Sequence, residues 1–267
     1  RNTAPAIAWA AQAVTRTDPG ANLLVVPADA WVPSPGRYRT AVRRALALSA
    51  AEDRLVLVGV HPTREETGYG YIEPGPKLGR GPGREVKRFV EKPSAARARR
   101  FVREGYLWNC GIFAWRGTVF EEAVRKSLPR LSRALAPLAK GRVTTHMLER
   151  SYTTAPSISV DHGVLERVDN LAVVPADFRW DDLGSWRALE RLGKMGGFLG
   201  GHVVARESPG LIAWAEGGVV SVLGVPDVVV VHTPDATLVV AKERAQEVRD
   251  LVADLERTRA GRKLVEG

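Results

Sequence analysis

The sequence predicts an α/β fold, a sheet with helices on both faces, followed by a small β-rich segment that ends in a helix. Three observations predict it. Two short apolar runs, Leu23–Val26 and Leu55–Val60, are separated by a helical stretch at the spacing a strand–helix–strand crossover needs. The 267 residues are 45% hydrophobic and 26% charged, enough apolar material for a sizeable core. At Gly193 the composition shifts to closely spaced glycines and then to short β-type runs, which sets expected domains of 1–192 and 193–267.

Taken in order, Asn2 or Thr3 caps a helix over Ala6–Val14, with Pro5 in the first turn where its missing N–H is harmless. Leu23–Val26 has the form of a buried parallel strand and ends at Pro27-Ala28-Asp29. A helix over Tyr38–Ser49 leads to a second buried strand, Leu55–Val60. The Gly- and Pro-rich stretch Tyr69–Pro82 reads as a loop or hairpin. A strand follows over Val86–Val90, then a helix over Ser94–Glu104, a strand over Cys110–Trp115 and a helix over Thr118–Ser127. Leu131–Ser151 is mostly helical, Leu171–Pro175 is a strand, and Trp180–Trp186 turns into a helix ending near Leu192. A glycine-punctuated linker spans Gly193–Gly201. Beyond it, Val203-Val204, Gly218–Leu223, Val228–His232 and Thr237–Val240 are β-type, and Lys242–Arg257 is an amphipathic helix.

Composition excludes several classes. No apolar run approaches the roughly 18 to 20 residues of a membrane span. The single Cys110 rules out an intramolecular disulfide and a multi-cysteine zinc site, which favours a reducing, cytoplasmic location. The net charge of +9 invites a nucleic-acid reading, but no RNP, KH or zinc-finger pattern accompanies it, so neither nucleic acid nor membrane is expected as a partner. The charge is densest from Lys77 to Arg103, where ten basic residues face only Glu85 and Glu91. The first residue is Arg1 rather than Met, so the expectation is that an N-terminal segment is missing.

Several polar residues sit where chemistry is done. In an open α/β sheet ligands bind outside the carboxyl ends of strands, and Asp29 directly follows one. It can cap the next turn or, with phosphates, hold Mg²⁺, and the residues alone leave both open. Asp181 and Asp182 ahead of Gly184 carry the same two readings. Glu91-Lys92-Pro93 closes a strand: Glu91 can accept hydrogen bonds from vicinal hydroxyls while Lys92 meets a phosphate, or the two form a solvated pair. Asn109 offers a donor and an acceptor beside Gly111, which allows close backbone approach. Asp161 is either a turn cap or a ligand contact; His162 has no partner at metal-ligand spacing, and Cys110 reads as a small core residue.

In order, Arg1–Ile7, Val26–Asp29, Thr67–Ile72, Phe89–Pro93, Trp108–Phe113, Ser157–Glu166 and Trp180–Trp186 resemble the mannose-1-phosphate guanylyltransferases, within the sugar-phosphate nucleotidylyltransferases. The resemblance implies a Rossmann-like nucleotidyltransferase domain followed by a β-helix-like segment, and transfer of GMP from GTP to mannose 1-phosphate with release of pyrophosphate. It implies that Asp29 and Asp182 hold Mg²⁺, that Gly70, Glu91 and Asn109 bind the sugar beside Gly111, and that Lys92 lies near the phosphate. Asn2 and Thr3 would lie by the guanine, and Asp161 on the sugar-phosphate side of the cleft.

The chain departs from the family pattern in three ways. The Gly-rich triphosphate loop with its Arg, and the Lys-Pro-Phe segment after it, would lie upstream of Arg1, so the chain as it stands is expected not to turn over and to leave strand edges uncovered. Arg167 stands where Lys is common, still able to meet a phosphate, and His162 where Tyr is usual. The connection after Trp186 is short and Gly-rich. The alternatives are a nucleotidylyltransferase of other base or sugar specificity, and a catalytically silent paralogue that binds nucleotide sugar. The apolar strands of the β-rich tail could pair two copies as a homodimer.

Overall fold

The computed structural model describes residues 2–139, 141–183, 198–258 and 261. They fall into two compact units, Arg1–Trp180 and Asp181–Gly267. The first contains strands β1 (Asn22–Val25), β2 (Leu55–Val60), β3 (Gly70–Lys77), β4 (Arg84–Val90), β5 (Leu107–Arg116) and β6 (Leu171–Ala176). Its helices are α1 (Thr3–Thr15), α2 (Pro35–Ala51), α3 (Ala95–Arg103), α4 (Gly117–Ser127), α5 (Pro129–Leu135) and α6 (Thr145–Thr154). The strands form one mixed sheet in the order β1-β5-β2-β6-β4-β3, with β5 also pairing β3.

β2 is buried at every position because it lies between β6, parallel, and β5, antiparallel, with helices on both faces. Alternation then divides the core. Leu55, Leu57, Phe113 and Trp115 pack with α1, α4 and α5 on one face, where Trp115 stacks on Phe120 at 4.5 Å between ring centroids. Val56, Val58, Ile112 and Ala114 pack with α2 and α3 on the other. α1 begins as the sequence predicts, with the Asn2 side chain accepting from the Thr3 N–H at 2.8 Å.

Two strands differ from expectation. β1 is not a buried parallel strand: it pairs antiparallel with β5 alone, and Leu24 and Val26 are 39% and 44% exposed. An apolar run records the preference for burial but not whether a strand is interleaved, and here β5 intervenes between β1 and β2. The stretch read as a loop or hairpin contains strand β3, whose ladder with β4 shifts register around Pro74, where a residue without an N–H is tolerated. The hairpin proper is Leu78–Gly83, closed by Leu78 N–H donating to the Gly83 carbonyl at 2.8 Å.

The dense basic run is folded into the β3–β4 hairpin and α3, where Arg99 meets Glu65 (3.1 Å), Arg100 meets Glu104 (3.0 Å) and Arg88 meets Glu73 (3.9 Å). These exposed pairs add little stability, but they disperse what in sequence looks like an unbroken positive stripe.

The second unit holds β7 (Phe198–Arg206), β8 (Ile212–Leu223), β9 (Val228–His232) and β10 (Thr237–Ala241) in the order β10-β9-β8-β7. β7, β8 and β9 run parallel without helical crossovers, Phe198 aligned with Ile212 and Ile212 with Val229, which is the stacked-coil form of a β-helix. Ala213, Ala215, Val220 and Val228 fill its small core. Gly200 and Gly201, expected in a linker, are strand residues of β7. The expected terminal helix starts as a 3-10 segment, Lys242–Glu247, and continues as α7 (Val248–Glu256). The helix expected after Trp186 and the linker residues 193–197 lie outside the described residues. Among the described residues no helix is long and apolar enough to cross a membrane.

β5 carries the main irregularity. Leu57 aligns with Phe113 but Gly59 with Asn109, so β5 bulges between these pairs, and Gly111 takes φ +72° inside the bulge. A Cβ on Gly111 would meet nothing closer than Pro27 Cγ at 3.7 Å, so space is available and only the backbone conformation demands glycine. Gly111→Ala is therefore expected to lower stability by roughly 1–2 kcal/mol, the cost of an L-residue in the left-handed region. Urea denaturation would read this, and an unchanged midpoint would mean the bulge does not need a left-handed residue.

Candidate active site

The register of the sheet places the polar residues. β3 lies beside the first half of β5, with Gly70 opposite Asn109, while on its other side Tyr71 is opposite Val90, the residue before Glu91. Three strands thus bring Gly70, Glu91 and Asn109 to one spot at the carboxyl end of β2. The bulge at Gly111 adds a fourth piece. Pro27 packs against Gly111, so the turn carrying Asp29 comes off β1 next to the Asn109 segment.

At the centre is Glu91. Its side chain is only 10% exposed, and Oε2 is buried without a hydrogen-bond partner. A Cβ on Gly70 would lie 2.5 Å from that oxygen and 3.1 Å from Asn109 Cβ and Phe89 Cζ, so the carboxylate can pack here only because residue 70 has no side chain. Asn109 is fixed at both ends: its Oδ1 accepts from the Gly111 N–H (3.1 Å), and its Nδ2 donates to Asp161 Oδ1 (2.9 Å). A buried acceptor without a donor is costly, and a hydroxyl-bearing ligand would remove the cost.

The electrostatics follow from burial. Desolvation, then the neighbouring Asp161, pushes the Glu91 carboxyl from its ordinary 4.5 up to about 7, against the opposing pull of Lys92 and with a further push from Glu166. Burial likewise raises Asp161, offset by its hydrogen bonds, including that from Asn109. The Lys92 ammonium is 3.9 Å from Glu91 Oε1 and its side chain is 63% exposed, which leaves it able to swing toward an anion.

Asp161 opens a single π-helical turn, Asp161–Leu165, closed by the Glu166 N–H donating to the Asp161 carbonyl at 3.0 Å. Its side chain does not cap this turn. Ser159 does that, accepting from the His162 N–H with Oγ (3.3 Å) and from the Gly163 N–H with its carbonyl (2.9 Å). Asp161 is thereby left to face Asn109. Glu166 turns to the same region, where Oε1 accepts the Glu91 backbone N–H at 2.9 Å. Sequence reasoning passed over Glu166, because residues five apart point roughly 140° away from each other in an α-helix and only the wider π turn brings 161 and 166 to one side.

The remaining predicted residues are distributed as follows. Thr3 Oγ1 accepts the Val160 N–H (2.9 Å) and the Ala4 N–H donates to the Ile158 carbonyl (3.1 Å), so the Asn2-Thr3 end of α1 is tied to the segment entering Asp161. Asn2 itself has φ +70°. Asp29 is exposed in its turn. Asp182 belongs to the second unit, half-buried next to Asp181, whose Oδ1 accepts the Leu183 N–H at 3.3 Å. Arg167 does not face the cleft: its guanidinium donates to the carbonyls of His162 (3.0 Å) and Ser127 (3.3 Å) and lines a separate open cavity with Asp53, Lys126 and Asn170, at the amino ends of β2 and β6. Cys110 is fully buried with Sγ 3.1 Å from the Val58 carbonyl, and burial pushes its thiol up to about 12, so it is an inert core residue.

Among the described residues no group of three or more His, Cys, Asp or Glu side chains is arranged to hold a metal ion. A single exposed carboxylate such as Asp29 fits the other way of binding Mg²⁺, in which phosphates and water supply most of the oxygens.

Residues 1–194 match the nucleotidyl transferase family, and residues 201–255 match the MannoseP isomerase/GMP-like beta-helix domain. The chain is 36% identical over 263 residues to the xanthan biosynthesis protein XanB of Xanthomonas campestris pv. campestris and 35% identical over 269 residues to a mannose-1-phosphate guanylyltransferase of Escherichia coli K12. Each alignment takes in 96% of this chain but only 55% or 56% of the relative, so the chain spans about half the length of these curated relatives. The crystal structure of a mannose-1-phosphate geranyltransferase from Thermus thermophilus is 40% identical with a TM-score of 0.85, covering 96% of this chain and 76% of that one.

The raised Glu91 carboxyl makes stability pH-dependent with a definite sign. Between 4.5 and about 7 the folded chain binds this proton more tightly than the unfolded chain, so the contribution of Glu91 to stability declines as pH rises through that window. Glu91→Gln is expected to flatten this part of the profile. Urea midpoints of both proteins across pH 4.5–7.5 would check it, and identical slopes would mean that the carboxyl is not held in a desolvated site.

Proposed function

The chain belongs to the nucleotidyl transferase family, and from that premise we propose that it transfers GMP from GTP to mannose 1-phosphate, giving GDP-mannose and pyrophosphate. The observation that carries the sugar half of this reading is the buried Glu91 Oε2, packed against Gly70 and without a hydrogen-bond partner among the described residues. A carboxylate, a carboxamide and a missing side chain at one spot suit a polyhydroxylated ring, whose vicinal hydroxyls donate to Glu91 while Asn109 donates or accepts beside them. The GTP and mannose parts of the reading rest on the names of the relatives and on the sequence resemblance.

The chemistry asks mainly for positioning. An oxygen of the sugar phosphate attacks the α-phosphorus of the nucleotide, a bond to that phosphorus forms, and the bond to the leaving pyrophosphate breaks. With the ring seated on Glu91 and Asn109, the exposed Lys92 ammonium is the nearest cation to meet the sugar phosphate, lowering repulsion between the two anions. Asp161 keeps the Asn109 amide turned so that its Nδ2 is committed and its orientation fixed. The Asn2-Thr3 end of α1 is the proposed neighbour of the base. Asp29 and Asp182 are the proposed Mg²⁺ ligands, an assignment that rests on the resemblance. The ion, when bound, neutralises charge on the phosphates and the leaving group. For Arg167 the assignment as a phosphate contact also rests on the resemblance, and its bonds to two carbonyls would have to be exchanged for it.

A panel of nucleoside triphosphates and hexose 1-phosphates, read by pyrophosphate release from the full-length protein, tests the reading. GTP with mannose 1-phosphate is expected to be the preferred pair, and preference for dTTP with glucose 1-phosphate would overturn it. Lys92→Ala is expected to lower kcat/KM for the sugar phosphate by about 10- to 100-fold, the worth of a charge-assisted contact. Asp182→Asn is expected to abolish Mg²⁺-dependent turnover while leaving the fold intact, and near wild-type activity would remove the metal assignment.

A further inference from the structure

Glu91 and Lys92 are adjacent and their charged ends are 3.9 Å apart, yet one side chain is buried and the other exposed. The backbone between them takes a left-handed conformation at Lys92, φ +46°, in a residue that is not glycine. Such a conformation is unfavourable for an L-residue and persists only where the surroundings over-determine it. No ladder does so here. The last pair between β3 and β4 is Tyr71 with Val90, and Pro93 has no N–H to contribute. Two bonds hold the turn instead. The Lys92 N–H donates to the Tyr69 carbonyl (3.2 Å), and the Glu91 N–H donates to Glu166 Oε1 (2.9 Å), across 75 residues of sequence.

We propose that Glu166 is a positioning residue for the sugar-phosphate site: by holding the Glu91 backbone N–H it fixes the left-handed turn in which the Glu91 carboxylate stays buried and the neighbouring Lys92 ammonium stays in solvent. This deepens the reading above and rests on it. Glutamine would satisfy the same N–H without adding a third negative charge beside Glu91 and Asp161. The carboxylate instead makes the stronger, charge-assisted bond and at the same time repels the Glu91 carboxyl. Glu166 is exposed and forms no part of the core, so its removal tests the turn rather than the fold.

The experiment uses the full-length protein with Glu166→Ala and Glu166→Gln, the conservative variant that keeps the acceptor. Binding of mannose 1-phosphate alone is measured first, then both KM values and kcat over a range of pH. Glu166→Ala is expected to weaken sugar-phosphate binding and raise its KM about tenfold, with KM for the nucleotide unchanged, and to lose protection of the Glu91 amide in hydrogen exchange. Glu166→Gln is expected to recover most of the binding and the protection. It should also shift the acid limb of kcat/KM to lower pH, because one repulsive neighbour of Glu91 has been removed. A general structural role would move both KM values together, and Glu166→Gln would then behave like Glu166→Ala; that pattern overturns the proposal. Sugar-phosphate binding by Glu166→Ala equal to wild type overturns it while leaving the function reading in place. A wild-type protein that binds no hexose 1-phosphate overturns the function reading and the role of Glu166 with it.

Discussion

The architecture of the first unit depends on one strand being bent. β5 must pair with β2 along one side while serving two different partners on the other, β3 with its first residues and β1 with its last. A regular strand would carry a single ladder past all of them. The bulge between its pairings with Gly59 and Leu57 breaks the strand into two registers, and Gly111 makes the break sterically free. Asn109 stands just before it, opposite Gly59 on one side and Gly70 on the other, so the residue best equipped to read a ligand sits where the sheet changes partners. The same bend puts the carbonyl end of β1, and hence Asp29, beside the cleft.

The second constraint is electrostatic. Three carboxylates, Glu91, Asp161 and Glu166, are gathered together, and the cation beside Glu91 among the described residues, Lys92, is largely in solvent. Such a cluster is unfavourable unless each member has separate employment. Asp161 accepts from the Asn109 amide and Glu166 from a backbone N–H, and of the three it is Glu91 that has a buried oxygen without a partner among the described residues. That unpartnered oxygen lies against Gly70, where a Cβ would come within 2.5 Å of it.

How much of this was legible in sequence depended on whether the signal was local. Leu55–Val60 is apolar without interruption and became the central strand it reads as. Glu91-Lys92-Pro93 and Asn109 with Gly111 were legible as strand-end chemistry because proline and glycine mark such places. What could not be seen was the result of non-local pairing. Leu23–Val26 reads as a buried parallel strand, yet the insertion of β5 leaves it at an edge of the described sheet. Pro74 and Gly75 argued against a strand, and β3 forms regardless because its pairing shifts at those residues. Arg167 follows Glu166 in a family-like motif, but adjacent residues on a tight turn diverge, and its guanidinium ends on the carbonyls of His162 and Ser127. Glu166 was hidden for the complementary reason, since its spacing from Asp161 is meaningful only in a helical form too rare to assume.

That rare form has a consequence for how the chain tolerates change in length. Surface turns usually absorb the loss of a residue at small cost, because neighbouring backbone relaxes. The Asp161–Leu165 turn is different. Deleting one residue there would restore ordinary α geometry, locally the more comfortable conformation, but Gly163, Val164 and Leu165 are all buried and would have to be reseated. The carboxylates at its two ends would not be parted, because residues four apart lie only about 40° from each other on an α-helix. The cost of shortening this turn would therefore fall on the packing beneath it rather than on the polar side chains of the cleft.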